Sequence, residues 1–596
     1  MSKLVNLKDL EFLLYDVFNA EELSKIERYK DHDKTTYDGV ISTAHRIAEQ
    51  YFAPHNSKAD EHEPQFDGEK VSTIPEVKEA WKHYSESGLL NARHHYDEGG
   101  MQLPALVNSA CGGLFNSANP STSGYPFLTS AAANVIHAFG SQAQKDLYLP
   151  GMFNGQFSGT MALTEPDVGS SLGDLSTKAT PQEDGSYKLK GQKMYISGGD
   201  QDITDNIIHL VLARVEGAEK GVKGISLFIT PKYLLNDDGS IGTRNDVKLA
   251  GLLHKMGYRG TTSTVLSFGE EDNCTGYLIG EAGKGLNYMF KMMNEARIGV
   301  GLGAAMIGYR GYLESLDYAK NRPQGRKPSS KDSSSKPINI VEHADVKRML
   351  LAQKSYVEGS LALCLFASRL VDESEAGNNE DSGILLDLLT PVVKSFPSSY
   401  GLKANDYAIQ VLGGSGYIRE YPLEQCYRDN RLNPIHEGTY GIQSLDLLGR
   451  KLWMKNGKGL QLLTARVQQS LKQAQQHERL APLVGIYQEK LNIFSKTTMS
   501  LGQNLQTGKV DETLANSALY LDMMGKMVVG WLWLEMAQKA SERFASSGSE
   551  EDQQFLAGKL QACQYFINWE LGEVEHQAQL LTQLDDTCAS MQADWF

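Results

Sequence analysis

The chain has 596 residues, 41% hydrophobic and 22% charged, with a formal net charge of −15. That length buries a large core divided among several domains, and the composition is that of an ordinary soluble globular protein. The acidic balance excludes a general nucleic-acid binder, which needs a cationic face for phosphates, although a local pocket can still be positive.

The N-terminal stretch "MSKLVNLKDLEFLLYDVF" mixes acids into its apolar positions and has no signal-peptide core, so a cytoplasmic protein is the default. Apolar residues three and four apart, as in "LKDLEFLLYDVF" and "EVKEAWKHYSESGLL", predict helices from Leu7 to about Gly155. Within that region "APHNSKADEHEP" and "ARHHYDE" carry histidines and acids without the spacing of a known ligand set. They read as solvated loops, and no metal is expected.

The texture changes near Phe157. "GSYKLKGQKMYISGG", "NIIHLVLARV" and "KGISLFITPK" are short, β-branched and broken by Gly, Asp and Pro, which predicts a compact β domain to about Gly280. Helical spacing returns from "GLNYMFKMMNEARIGVGLG" to about Trp453. "GVGLGAAMIG", Gly299 to Gly308, superficially resembles a dinucleotide fingerprint, but it follows a helical pattern instead of a strand. Small residues for close helix packing are the better reading. "KPSSKDSSSKP", Lys327 to Pro337, predicts a mobile exposed loop, and "ESEAGNNEDSG" separates two further helices.

From about Lys455 the chain is helical, Gln-rich and slightly acidic, and its most apolar stretch, "MVVGWLWLEMA", is too short to span a bilayer. The six cysteines form no CxxC pair, so neither a zinc knuckle nor a redox dithiol is suggested. The expected fold is mainly α with a central β domain. Its divisions are an N-terminal arm (1–36), a helical domain (37–156), a β domain (157–283), a helical bundle (284–454) and an extra helical domain (455–596).

One short stretch resists a bland reading. "LNPIHEGTYGIQ" sets Glu437 among apolar residues and glycines, where an isolated EGT tripeptide would be a helix cap or turn acid. Three other stretches bear on it: "MALTEPDVGSS" at 161–171, "KMYISGG" at 193–199 and "QVLGGSGYIREYPLEQCYRD" at 410–429. In this order and spacing the set resembles the acyl-CoA dehydrogenase family of flavoproteins, over roughly Val40 to Trp453. The N-terminal arm, "RPQGR", "GIQSLDLLGRKL" and the C-terminal extension resemble a large-subunit branch that includes enzymes similar to 3-methylmercaptopropionyl-CoA dehydrogenase and several long-chain acyl-CoA dehydrogenases.

The resemblance implies an N-terminal helical domain, a β-barrel-like middle domain, a C-terminal helical bundle and FAD as cofactor. It implies oxidation of a saturated acyl-CoA thioester to the trans-2-enoyl-CoA, with hydride passing to flavin N5 and electrons to an electron-transfer flavoprotein. Glu437 aligns with the catalytic base, and a carboxylate in an apolar, water-poor pocket is a stronger base than one in water. Its backbone N–H would polarise the thioester carbonyl. Met161, Leu163 and Thr164 align beside the isoalloxazine ring, Tyr195 and Ser197 over another face, and Thr439 on the flavin side. Arg322 and Gln324 align with the phosphate-side pair, and Gln410, Gly413 and Gly414 with a loop that reaches FAD from a neighbouring subunit of a homodimer. Ser170, Arg297, His436 and Gly438 align along the substrate. The plainer alternative is a tight turn for each glycine and a surface ion pair for each arginine.

Two positions depart from the pattern: His436 stands where many relatives carry Tyr, and Gly441 where smaller relatives carry a flavin-contacting Gln. The alternatives to a dehydrogenase are an acyl-CoA oxidase that uses oxygen, and a DNA-associated flavoprotein of the same fold. The acidic extension and Glu437 argue against the latter, and no nucleic acid or integral membrane segment is expected.

Overall fold

Strand texture begins where the sequence changes character: Phe157–Ala162 is a β-strand buried along its whole length. The protein is represented by a computed structural model that describes residues 3–330, 332, 334–544 and 546–596, without the side chains of residues 290–294. Met1 and Ser2 of the N-terminal stretch, and Lys331 and Ser333 of the serine-rich loop, lie outside the described residues. Two compact units form. A barrel unit comprises Asp38–Leu103 and Leu114–Gly299, and a helical unit comprises Met1–Tyr37, Pro104–Gly113 and Val300–Phe596.

In the barrel unit, strands Tyr187–Ser197, Thr275–Leu278, Ile225–Pro231, Asn206–Val215 and Lys178–Pro181 pair in that order, and the last pairs back to the first. The ring is closed, which removes the exposed edges that make sheets stick to one another. Strands Val247–Leu252, Ser263–Phe268 and Phe157–Ala162 extend it. "NIIHLVLARV" shows why the sequence closes this way. Ile208, Leu210 and Leu212 join one core with Val135, Ile136 and Met152 of the helices Pro120–Phe139 and Gln142–Phe153. The alternate residues Val211 and Ala213 join a second core with Leu189, Phe228 and Phe268. A strand apolar on both faces is buried on both faces.

In the helical unit, residues 300–321 of the long helix Gly285–Asn321 and the helices Ala344–Glu375 and Glu380–Leu412 carry the bundle. The glycine-rich run inside the first is packing, as expected. A Cβ on Gly301 would run into the Val393 carbonyl, and one on Gly308 would lie 3.0 Å from the Cα of Gly401. The extension adds helices Lys458–Ala474, Ala481–Gln506, Ser517–Phe544, Glu550–Tyr565 and Glu573–Thr582. "MVVGWLWLEMA" lies in the third of these with Trp531, Leu532, Trp533 and Leu534 all buried. An all-round apolar helix in a soluble fold is a core helix, and no described helix is long and apolar enough to cross a membrane. A buried ion cluster ties the extension down: Lys559 pairs with Asp9 of the N-terminal arm and with Glu358 of Ala344–Glu375, and Tyr309 donates to Asp9 at 2.7 Å.

The expected sequence of helices, β domain, helices and extra helical domain is the observed one. The reading of two loops as solvated is not. His55, Asn56 and Asp60 of "APHNSKADEHEP" and His94 of "ARHHYDE" are buried. His55 Nε2 lies 2.8 Å from Thr122 Oγ1, so a hydroxyl takes the place of water.

Candidate active site

Strand Tyr187–Ser197 carries a β-bulge. Lys193 pairs with Leu266 and Ile196 with Thr264, leaving Met194 and Tyr195 opposite the single Val265. The extra residue is accommodated by a left-handed backbone at Tyr195, φ +59°, with the ring 63% exposed. Bulges of this kind re-aim a side chain, and a bulky residue at positive φ is strain that the surroundings must enforce. The neighbouring Met194 N–H donates to Thr164 O at 2.9 Å, which brings the segment Met161–Thr164 beside Tyr195. Met161 is buried, Leu163 and Thr164 are half-buried, and Ser170 and Ser197 are exposed.

One buried lysine organises this corner. Lys193 Nζ donates to Leu163 O and to Glu165 Oε1, both at 2.9 Å. Glu165 also accepts from the backbone N–H and hydroxyl of Ser176 and of Thr177. Burial works to raise the Glu165 carboxyl, but the Lys193 charge and those four donors hold it down to about 2. Burial draws Lys193 down to about 8 against the pull of the same carboxylate. Arg297, also in the barrel unit, is only 4% exposed, which removes the surface ion pair as its explanation.

The helical unit brings a second set together. A cleft of about 530 Å³ is lined by Tyr318, Arg322, Gln324, Gln410, Gly413 and Gly414, among others. The Arg322–Gln324 segment is pinned at the backbone: Ile340 N–H donates to Arg322 O and Gln324 N–H to Ile338 O, each at 2.9 Å. Gly413 ends the helix Glu380–Leu412 at φ +59°, and a Cβ on Gly413 or Gly414 would meet nothing within 4 Å. A guanidinium, two side-chain amides and open glycine backbone suit a pyrophosphate, which needs forked donors and close approach. These residues fit FAD.

The third set surrounds Glu437. Helix Tyr440–Gly449 is capped by Thr439, whose Oγ1 accepts from Ile442 N–H at 3.3 Å. The helix cap is therefore not Glu437. Glu437 and Gly438 are both left-handed, φ +53° and +87°. The turn is held by two side chains: Gln443 Nε2 donates to Glu437 O at 2.9 Å, and the buried Lys394 donates to Gly438 O at 2.8 Å. His436, Glu437 and Gly438 are half-buried, while Thr439 is exposed.

The protonation of His436 follows from an amide chain. Asn430 donates to Asn405 Oδ1 at 2.7 Å, and Asn433 donates to Asn430 Oδ1 at 2.9 Å. That turns Asn433 Oδ1 toward His436 Nε2, 3.0 Å away, so Nε2 carries the proton. Burial, then the Lys394 charge, push this imidazole down to about 3. His436 is neutral near pH 7 and puts no charge beside Glu437.

Lys193, Glu165, Lys394 and Gln443 are absent from the set read off the sequence. Lys193 and Glu165 stood inside the quoted motifs. Lys394 had a signal too, as the lone cation of the otherwise apolar run "LLTPVVKSF".

With this geometry in place, comparison with known proteins is decisive. Residues 36–156, 160–270 and 283–452 match the N-terminal, middle and C-terminal domains of acyl-CoA dehydrogenase, and 463–592 match the "Acetyl-CoA dehydrogenase C-terminal like" domain. The chain is 32% identical to the 3-methylmercaptopropionyl-CoA dehydrogenase of Ruegeria pomeroyi, over 98% of each chain. It belongs to the acyl-CoA dehydrogenase family. It is also 32% identical to a butyryl-CoA dehydrogenase of Syntrophomonas wolfei, over 95% of this chain and 94% of that one. Among solved structures it resembles an acyl-CoA dehydrogenase complexed with FAD from Bacillus anthracis, with a TM-score of 0.73 at 21% identity, over 95% of this chain and 90% of that one. The protein is thus an oxidoreductase of the acyl-CoA dehydrogenase class.

Proposed function

We propose that the protein oxidises a saturated acyl-CoA thioester to the trans-2-enoyl-CoA, with Glu437 as the α-proton base and an electron-transfer flavoprotein as the electron acceptor. The observation that carries this reading is the turn at Glu437–Gly438. Two successive left-handed residues are held by Lys394 and Gln443 while the neighbouring Thr439 does the capping. Enforced strain at a carboxylate without a capping duty is what a positioned base requires.

FAD, when bound, supplies the acceptor for the β-hydride. Arg322, Gln324, Gln410, Gly413 and Gly414 would hold its pyrophosphate side, and Met161, Leu163, Thr164, Tyr195, Ser197 and Thr439 its ring side. Ser170, Arg297 and Gly438 serve the thioester and its CoA. Neutral His436 keeps the surroundings of Glu437 free of an added positive charge, so the carboxylate stays basic. Tyr417, 85% exposed, and Ile418, 45% exposed, adjoin the glycines of the cleft, which supports a homodimer in which a second copy covers them.

The relatives named for 3-methylmercaptopropionyl-CoA and butyryl-CoA make those two thioesters the first to test. Stopped-flow bleaching of the flavin by each, in wild type and Glu437→Gln, tests the base. The variant keeps the shape of the side chain and the backbone N–H. Its flavin reduction falls by at least the roughly 10²–10⁴-fold that general-base catalysis supplies, with an unchanged melting curve. Reduction near the wild-type rate would place the base elsewhere.

A further inference from the structure

The buried histidine of "ARHHYDE" belongs to a separate constellation in the barrel unit. His94, the short helix residue Glu98 and His137 near the end of Pro120–Phe139 each bring one ligand atom within 4.8 Å of the others. Glu98 Oε1 accepts from His137 Nε2 at 2.6 Å, and Glu98 Oε2 accepts from His95 N–H at 3.1 Å. The same Oε2 lies 4.0 Å from His94 Nδ1.

What that 4.0 Å separates follows from the partners behind it. Arg93 Nη1 lies 3.2 Å from Glu295 Oε2, which accepts from Asn134 Nδ2 at 3.1 Å. The Asn134 amide is thereby oriented with Oδ1 toward His94 Nε2, 3.1 Å away, so that Nε2 is the protonated nitrogen. His94 Nδ1 is left as a lone pair, and it faces a carboxylate oxygen. A lone pair and a carboxylate oxygen facing one another repel, and a cation between them removes the repulsion.

We propose that His94 Nδ1, His137 Nε2 and Glu98 form a binding site for a divalent first-row metal ion, zinc by preference. Two imidazoles and a carboxylate are a borderline-soft donor set, and a fourth tetrahedral position is left to water. Bonds of about 2.0–2.2 Å to nitrogen and oxygen span the 4.0 Å between His94 Nδ1 and Glu98 Oε2. The ion replaces the His137 N–H···O bond, with the His137 proton held on Nδ1. Glu98 and His137 are a third exposed, so the ion reaches the site from solvent. The chain Arg93–Glu295–Asn134–His94 is the outer support that fixes a ligand's tautomer at metal centres. Bound there, the ion fastens the turn 94–98 to the helix Pro120–Phe139.

The test uses the FAD-loaded protein, cleared of metal with EDTA and titrated with zinc chloride by calorimetry. A parallel titration with cobalt chloride is read by d–d absorption beyond the flavin bands. One equivalent of each binds per chain, and zinc raises the melting temperature. His137→Ala and Glu98→Gln, both at partly exposed positions, weaken zinc binding by at least tenfold. Asn134→Leu weakens it by about 10–100-fold, the usual cost of removing an outer-shell partner. His254→Ala is the control, because His254 makes a similar 2.7 Å pair with Glu63 on the surface, and it leaves the stoichiometry and affinity unchanged. Absence of a one-equivalent zinc site, binding that survives His137→Ala, or equal loss in His254→Ala would each overturn the proposal.

Discussion

Each compact unit sets a fully buried lysine against a loop carbonyl beside a left-handed residue. In the barrel unit Lys193, two residues before the left-handed Tyr195, holds Leu163 O. In the helical unit Lys394 holds Gly438 O, next to Glu437. The difference lies in where each charge acts. Lys193 has the Glu165 carboxylate at 2.9 Å, itself wrapped in four further donors, so its charge is balanced inside the scaffold. The Lys394 charge reaches a titratable neighbour and helps keep His436 neutral. One lysine builds a rigid wall, while the other sets the electrostatics around the proposed base.

Removing each lysine should therefore break different properties. Lys193→Met strands a buried carboxylate and costs about 3–5 kcal/mol, read as a lower urea midpoint at unchanged slope. Lys394→Met forfeits the charge-assisted hydrogen bond to Gly438 O, worth about 1.5–3 kcal/mol, but slows flavin reduction by substrate, and Lys394→Arg recovers part of the rate. The His436 imidazole titrates at a higher pH in Lys394→Met, measurable by NMR. Equal destabilisation in both methionine variants, with reduction intact in the second, would erase the distinction.

The turn itself is sensitive to a single methyl group. Gly438→Ala forces an L-residue to φ +87° and sets a Cβ 2.7 Å from Gln443 Nε2. The backbone penalty is about 1–2 kcal/mol, and reduction slows because Glu437 shifts. Thermal melts beside stopped-flow traces check both parts.

The smallest effect is one of pH. The Glu165 carboxyl is depressed in the fold, from 4.5 to about 2. The unfolded chain therefore binds more protons between those values, and the contribution is complete above about pH 4.5 and lost as pH falls toward 2. Glu165→Gln, which removes the titration, flattens that part of the acid limb in a stability–pH series.

Much of the architecture is legible in local pattern. The step from helical spacing to short alternating runs at Phe157 is visible because side chains repeat every two residues along a strand and every 3.6 along a helix. The glycines of "GVGLGAAMIG" read correctly as packing for the same reason: a fingerprint needs a strand before it, and periodicity alone denies one. Glu437 could be singled out because it is the lone acid in a stretch of apolar residues and glycines.

The sequence by itself determined the order of helices, barrel, bundle and extension, and the segments in which the candidate site residues stand, since these depend on periodicity and on motifs a few residues long. Only the tertiary structure decided what acts on them. The Lys394–Gly438 bond joins positions 44 apart, and the Asn134–Glu295 bond behind His94 joins positions 161 apart. The bulge at Tyr195 exists only relative to its partner strand Ser263–Phe268. His94 looked like a solvated loop residue because nothing within the loop buries it; a ring from the distant Phe153 and the amide of Asn134 do. Burial, tautomer and backbone strain are properties of three-dimensional neighbours, and a linear pattern carries no record of who they are.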